Sequence, residues 1–199
     1  MKVLIDNGHG LETPGKRSLD GSFREAVWAR EFAILLERKL IAEGITAVRI
    51  TTEYNDVALD ERVLRVNKIC EENPDEDFLL LSIHCNAAQV GYGNWMAARG
   101  FNSFVSINSS TKSRRFASVL QANMWNAGYK GNRARNERGF CVQNLAICRD
   151  TECPAVLAEC LYMTNDADLE LLRDEKHVNN MAEIFVKSIK YYRNEILKS

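Results

Sequence analysis

The chain reads as a three-layer α/β protein, a mainly parallel twisted sheet of about six strands with helices on both faces. Three observations predict it. Short apolar runs alternate with longer segments of helical periodicity from one end of the chain to the other. One run, Phe78 to Ile83 within DFLLLSIHCNAA, is almost continuously apolar, as in a central strand covered on both faces. The intervening segments are long enough to be crossover helices, which join neighbouring strands in parallel.

In chain order, KVLI at 2 to 5 is the first strand and ends at the polar corner Asp6 to Gly10. A loop through Pro14, Gly15 and Gly21 leads to a helix from Phe23 to about Glu43. Its apolar face holds Val27, Phe32, Leu35, Leu36 and Leu40, and Gly44 stops it. TAVRITT at 46 to 52 is the second strand, 59 to 70 the second helix, and 78 to 83 the central strand. SFVSI after residue 102 reads as a further strand, followed by a helix from Lys112 to Ala127 and a polar loop at 128 to 139. NLAIC reads as another strand and PAVLAEC at 154 to 160 as a strong one. Helices over Ala167 to Arg173 and Glu175 to Tyr192 close the chain. No repeat, low-complexity tract or linker interrupts this order, so one domain over 1–199 is the expectation.

Composition excludes several function classes. Hydrophobic residues make up 46% and charged residues 27% of 199, as in a globular protein. The net charge of -1 gives no electrostatic basis for broad binding to nucleic acid or anionic membranes. No apolar run reaches the roughly 18 residues of a bilayer span, and the start of the chain lacks the apolar stretch and cleavage site of a signal peptide. Six cysteines at 70, 85, 141, 148, 153 and 160 are expected to stay reduced, several as small core residues.

GLETPGKR at 10 to 17 matches GxxxxGK but fails as a phosphate loop. Arg17 stands where a Ser or Thr would join the magnesium shell, six further loop residues precede the helix, and Pro14 removes an N–H from the nest. The three histidines are the better lead. His9 and His84 each follow a strand, and in a parallel sheet those carboxyl ends share the edge where α/β proteins bind ligands. His177 lies in the last helix and reads as a surface residue. Two imidazoles need a third donor to hold zinc. Glu25 opens the first helix, and Glu159 ends the strand PAVLAE, where burial would be costly without a cation or partner. Either could be that donor.

IDNGHG at 5 to 10, REAVWAREFAILLERKLIAEG at 24 to 44, TT with ERVLRVN at 61 to 67, LLLSIHCNAA at 79 to 88 and PAVLAECLYMTNDADLELL at 154 to 172 together cover most of the chain. In this order they resemble the zinc-dependent N-acetylmuramoyl-L-alanine amidases, which cut the bond between muramic acid and the peptide stem of peptidoglycan. The resemblance implies one Zn2+ held by His9, Glu25 and His84. It makes Glu159 the catalytic acid–base group, taking a proton from the attacking water and giving it to the departing amine. Two departures bear on the pocket: Cys85 stands where alanine is expected, and CLYMTN follows Glu159 where a glycine-containing GFLSN is more usual.

Asn86 and Arg62 are candidates for substrate binding; Asn86 reads more plainly as a turn residue, and Arg62 either clamps a buried carboxylate or is an exposed helix charge. Arg133, Arg135 and Arg138 are either carboxylate contacts for the stem or solvated loop charge. Nucleophilic chemistry by Cys85 or Cys160 is disfavoured because strand neighbours point to opposite faces. A wall-binding protein without catalysis, or an enzyme for soluble muropeptides, are the remaining functional alternatives. The expected location is cytoplasmic until release, or the wall after export from a longer precursor.

Overall fold

A computed structural model describes residues 1–88, 97–132 and 139–198. Strands β1 (Lys2–Asn7), β2 (Thr46–Arg49), β3 (Phe78–Asn86), β4 (Asn102–Val105), β5 (Cys141–Val142) and β6 (Ala155–Tyr162) form a six-stranded sheet in the order β2-β1-β3-β6-β4-β5. The pairs β1·β2, β1·β3, β3·β6 and β4·β5 are parallel, and β4 runs antiparallel to β6. The three-layer, mainly parallel architecture is the one expected, with a single reversal at β4.

Helices α1 (Glu25–Ala42), α3 (Thr111–Asn126) and α6 (Glu175–Tyr191) cover one face. The larger core lies there: Val3, Ile5, Leu81 and Ile83 from the strands meet Phe32, Leu36, Phe116, Phe185 and Tyr192. Helices α2 (Leu59–Glu71) and α4 (Ala146–Arg149) cover the other face over a smaller core of Leu4, Leu80, Leu157, Val66 and Ile147. Helix α5 (Asp166–Arg173) follows β6. Among the described residues no helix is long and apolar enough to cross a membrane.

Local chemistry explains the helix ends. Ser110, Asn165 and Asp174 cap α3, α5 and α6 by accepting from the N–H groups of Ser113, Asp168 and His177. At the end of α1, Ile45 N–H bonds to Leu40 O and Gly44 N–H to Ile41 O, with Gly44 at φ 67°. That is a Schellman stop, as expected of Gly44.

The second strand ends at Arg49 and not at 52, the central strand runs on to Asn86, and two further elements differ from the sequence reading. Helix α1 begins at Glu25 and not at Phe23, because the Ser18 hydroxyl accepts from Phe23 N–H and Ser18 N–H donates to Phe23 O, holding Phe23 in the preceding loop. NLAIC is not a strand. Ile147 and Cys148 are adjacent and both buried against the smaller core, which a helical turn allows and a strand facing one core does not. The strand beside β4 is instead Cys141–Val142. Arg133, Arg135 and Arg138 lie outside the described residues.

The site is prepared by a change of polarity along one sheet face. On the α2 side, Leu4 is followed two residues later by Asp6, Leu80 by Ser82 and then His84, and Leu157 by Glu159. Parallel register then sets His84 opposite Glu159 on the adjacent strand. Alternate residues share a face, so the apolar row gives way to a polar one at the carboxyl edge. Just beyond, the register of β3 and β6 shifts, and Leu161 takes φ 68°.

Candidate metal centre

His9, Glu25 and His84 converge at that edge, each offering a donor atom within 4.8 Å of the others. Glu25 Oε1 lies 3.0 Å from His84 Nδ1 and 3.6 Å from His9 Nε2. The two imidazole rings stand edge to face, with centroids 4.9 Å apart. Glu25 is 1% exposed, and its Oε1 accepts from the backbone N–H of Cys85 at 3.0 Å. Its Oε2 is buried with no hydrogen-bond partner among the described residues. A carboxylate oxygen so placed calls for a cation.

His9 reaches the site by an uncommon backbone. Its φ is 59°, in the left-handed region that few residues bearing a side chain adopt. Two bonds hold the bend: Gly8 N–H donates to Ile83 O at 2.9 Å, and Arg30 Nη2 donates to the carbonyl of His9 at 2.9 Å. Arg30 also bonds the carbonyls of Ala26 and Glu53, so its buried guanidinium ties α1 to both loops at this edge. Gly8 has a packing reason to be glycine, since a Cβ there would collide with the His84 ring.

Beneath the histidines, Asp6 is 1% exposed and fully engaged. It accepts from Arg62 Nη1 at 2.8 Å, from the Ser82 hydroxyl at 2.6 Å and from Thr51 at 3.4 Å. Arg62 also donates to Asn7 O, Val57 O and Asp56. The guanidinium is buried and committed to the protein. Its place is that of a clamp on the strand leading to His9, the buried-carboxylate reading of Arg62. Asn86 sits at the end of β3 with Oδ1 accepting from Ala87 N–H, and its Nδ2 is buried without a partner among the described residues.

The electrostatics prepare two different imidazoles. Burial, partly opposed by the Glu25 charge, lowers the pKa of His9 from 6.5 to about 4, so its lone pair is available at neutral pH. Burial also works against a proton on His84, but the hydrogen bond and charge of Glu25 outweigh it and raise that pKa, with Glu159 adding to the rise. Burial pushes Glu25 up, and the two histidines more than reverse it, leaving the carboxyl lowered. Two nitrogens and one carboxylate oxygen are the donor set of a catalytic zinc site. The residues present fit that ion.

Cysteine chemistry does not fit. Cys85 and Cys160 are buried in the larger core, on the face away from His84 and Glu159, and burial pushes both thiols well up. His177 is half-buried rather than a free surface group, with Nδ1 3.2 Å from the Tyr129 hydroxyl. The loop at 10–17 leads into an antiparallel bridge between Arg17 and Arg24, not a helix, so no phosphate cradle forms.

Comparison with known proteins matches a family model described as N-acetylmuramoyl-L-alanine amidase to residues 3–191. The chain belongs to this amidase family. Among curated relatives it is similar to the probable cell wall amidase LytH of Staphylococcus aureus, 25% identical over 192 residues. That match covers 96% of this chain and 57% of LytH, so the chain spans little more than half the length of the curated relatives it matches. Among solved structures it is similar to the N-acetylmuramoyl-L-alanine amidase of Clostridium difficile 630, with TM-score 0.80 and 26% identity, covering 98% of this chain and 97% of that one. The catalytic domain of the amidase CwlV from Bacillus (Paenibacillus) polymyxa var. colistinus shares the fold at TM-score 0.77 and 24% identity, covering 98% and 99%.

Three residues that shape this site escaped the sequence reading: Arg30, Gly8 and Asp6. A signal existed for Arg30, which falls on the buried stripe of α1 between Ala26 and Ala33. For Gly8 there was none, because the ring it must clear comes from a strand 76 residues away in the chain.

Proposed function

We propose that this protein hydrolyses the amide between the lactyl group of N-acetylmuramic acid and L-alanine in peptidoglycan, with His9, Glu25 and His84 holding zinc. The observation that carries this is the meeting of two imidazoles and a buried carboxylate at the sheet's carboxyl edge, with Glu159 in register beside His84. When bound, a zinc ion supplies Lewis-acid polarisation of a carbonyl and lowers the pKa of a water to near 7.

The chain's own groups do the rest. Glu159 accepts the proton of the attacking water and returns it to the leaving amine of L-alanine, so one carboxylate serves as base and then acid. The apolar strand behind it, with Leu157 packed in the smaller core, fixes Glu159 at the carboxyl edge beside His84. Asn86 Nδ2 is a donor for the substrate. Arg30 and the Arg62–Asp6 pair keep His9 in place and touch no substrate. Under this proposal the place of action is the cell wall, where the substrate is.

The decisive test is Glu159→Gln. We expect it to bind zinc as the wild type does and to release no new amino termini from purified peptidoglycan. Loss of zinc in that variant would make Glu159 a ligand, and cleavage by wild type in the presence of a chelator would end the metal account. Cleavage of soluble muropeptides alone would move the substrate from the wall to its fragments.

A further inference from the structure

The metal centre occupies one edge of the sheet; the opposite edge carries a different chemistry. A cavity of about 380 Å³ opens there between the end of α2 and the starts of β3 and β6, lined by Cys70, Glu71, Phe78, Glu152, Cys153 and Tyr192. All six cysteines are free thiols. Cys85, Cys141, Cys148 and Cys160 are buried, whereas Cys70 and Cys153 are half-exposed. Those two line the same cavity, and each shifts the ionisation of the other.

The juxtaposition is built and not incidental. Asn67 lies one helical turn before Cys70, on the same side of α2. Its Nδ2 donates to Asp150 O at 3.0 Å and its Oδ1 accepts from Glu152 N–H at 2.9 Å. The loop that carries Cys153 is thus pinned to the helix that carries Cys70. From the other side, Leu80 N–H donates to Pro154 O at 2.8 Å and fixes the loop to β3. Metal binding is the weaker use of this pair, because His9, Glu25 and His84 are the one group of three metal-ligating side chains found among the described residues. Two thiols without a third donor do not complete a zinc or iron site.

We propose that Cys70 and Cys153 are a redox-active dithiol, a modification site that reacts with low-molecular-weight disulfides of the glutathione class and closes to an intramolecular cystine. The Cys70 thiolate attacks one sulfur of the small disulfide, forms a mixed disulfide and releases the first small thiol. Cys153 then gives up its proton and attacks the Cys70 sulfur, and the second small thiol leaves. One disulfide is reduced to two thiols while two cysteine thiols become one cystine. The attacker is assigned to the more acidic thiol: the neighbouring Cys153 holds Cys70 below the ordinary thiol value against the effect of burial, while Cys70 pushes Cys153 up. The cystine would join the end of α2 to the entry of β6, across a long stretch of chain, which restricts the unfolded state.

The test is peptide mapping of the native full chain after incubation with oxidised glutathione, acid quenching and alkylation, without reduction. We expect a linked peptide pair containing Cys70 and Cys153, a whole-protein mass lower by two hydrogens, and a thermal midpoint raised by several degrees. The other four cysteines should alkylate only after denaturation. Cys153→Ser should stop at a stable glutathione adduct on Cys70, and Asn67→Ala should slow closure by about tenfold while leaving adduct formation unchanged. A cystine between any other pair, a persistent Cys70 adduct in the wild type, or an unmodified Cys70 under excess oxidant would each overturn the proposal. Wild-type mapping decides this whether or not the variants fold, and independently of any amidase activity.

Discussion

His9 carries the most local conflict in the molecule. A left-handed φ costs a side-chain-bearing residue about 1–2 kcal/mol, and burial denies its ring a proton. Both are conditions for a neutral nitrogen aimed at Glu25. The sign of the pH effect follows. An unfolded-chain imidazole binds a proton near 6.5 and His9 only near 4. The stability owed to its neutral form is therefore complete above pH 6.5 and drains away as pH falls towards 4. His84 behaves oppositely, since its raised pKa contributes stability at low pH that is lost as pH rises through the folded value. For metal-free protein, His9→Gln should flatten the fall in thermal midpoint between pH 6.5 and 4 relative to wild type. An unchanged slope would mean that His9 titrates normally. Gly8 gives a second test at this scale. Because an added methyl group meets the His84 ring, Gly8→Ala should keep the fold and weaken zinc binding by about 10–100-fold, the range seen when ligand orientation is lost. Metal titration by calorimetry reads this directly, and wild-type affinity would show that the ring can move aside at no cost.

Among the elements, β6 holds the instructive irregularity. After Glu159 the strand slips register against β3, and Leu161 sits at φ 68° with its side chain fully buried. Counting back from Asn165, the glycine of the GFLSN pattern falls on this position. The chain thus has a leucine where the backbone suits glycine, and two effects compete. Removing the side chain costs about 2–5 kcal/mol of packing, whereas removing the Cβ recovers only about 1–2 kcal/mol of backbone strain. Packing wins, which accounts for a leucine being tolerated. We expect both Leu161→Ala and Leu161→Gly to be destabilised, with the glycine variant the more stable of the two by about 1 kcal/mol. This inverts the usual order, in which glycine is worse than alanine. Urea unfolding of the two variants checks it, and the usual order would show that the bend carries no strain. Helix α1 shows the same balance, placing the charged Arg30 in its buried stripe because three backbone carbonyls receive it.

For the whole molecule, the site joins elements distant in sequence, so filling it should stabilise the fold. His9 follows β1, Glu25 opens α1 and His84 lies in β3; an ion shared among them is bound by the native state alone. Zinc at 100-fold over its dissociation constant adds about 2.7 kcal/mol, or about 5–10 °C in thermal midpoint for a chain of this size. Glu159→Gln should show the full shift and His84→Ala little, and magnesium, which prefers an all-oxygen shell, should not substitute. Thermal scans with zinc, magnesium or chelator measure it, and an absent zinc shift would exclude the three residues as a joint ligand set.

What the sequence by itself determined is the fold class, most element boundaries and the three residues that meet as a metal-ligating cluster. Each is written locally: apolar period marks strand and helix, Gly44 marks a helix stop, and imidazoles and acids at strand ends are rare enough to notice. It did not reach the helical form of NLAIC, because four apolar residues in a row carry no period, nor the start of α1, which a loop bond through Ser18 decides. The tertiary structure alone decided that the carboxylate Arg62 clamps is Asp6, that Arg30 supports His9, and that Gly8 clears the His84 ring. The physical reason is common to all three. A side chain's partner is fixed by sheet register and helix placement, which bring together groups separated by tens of residues, and no pattern along the chain records that distance.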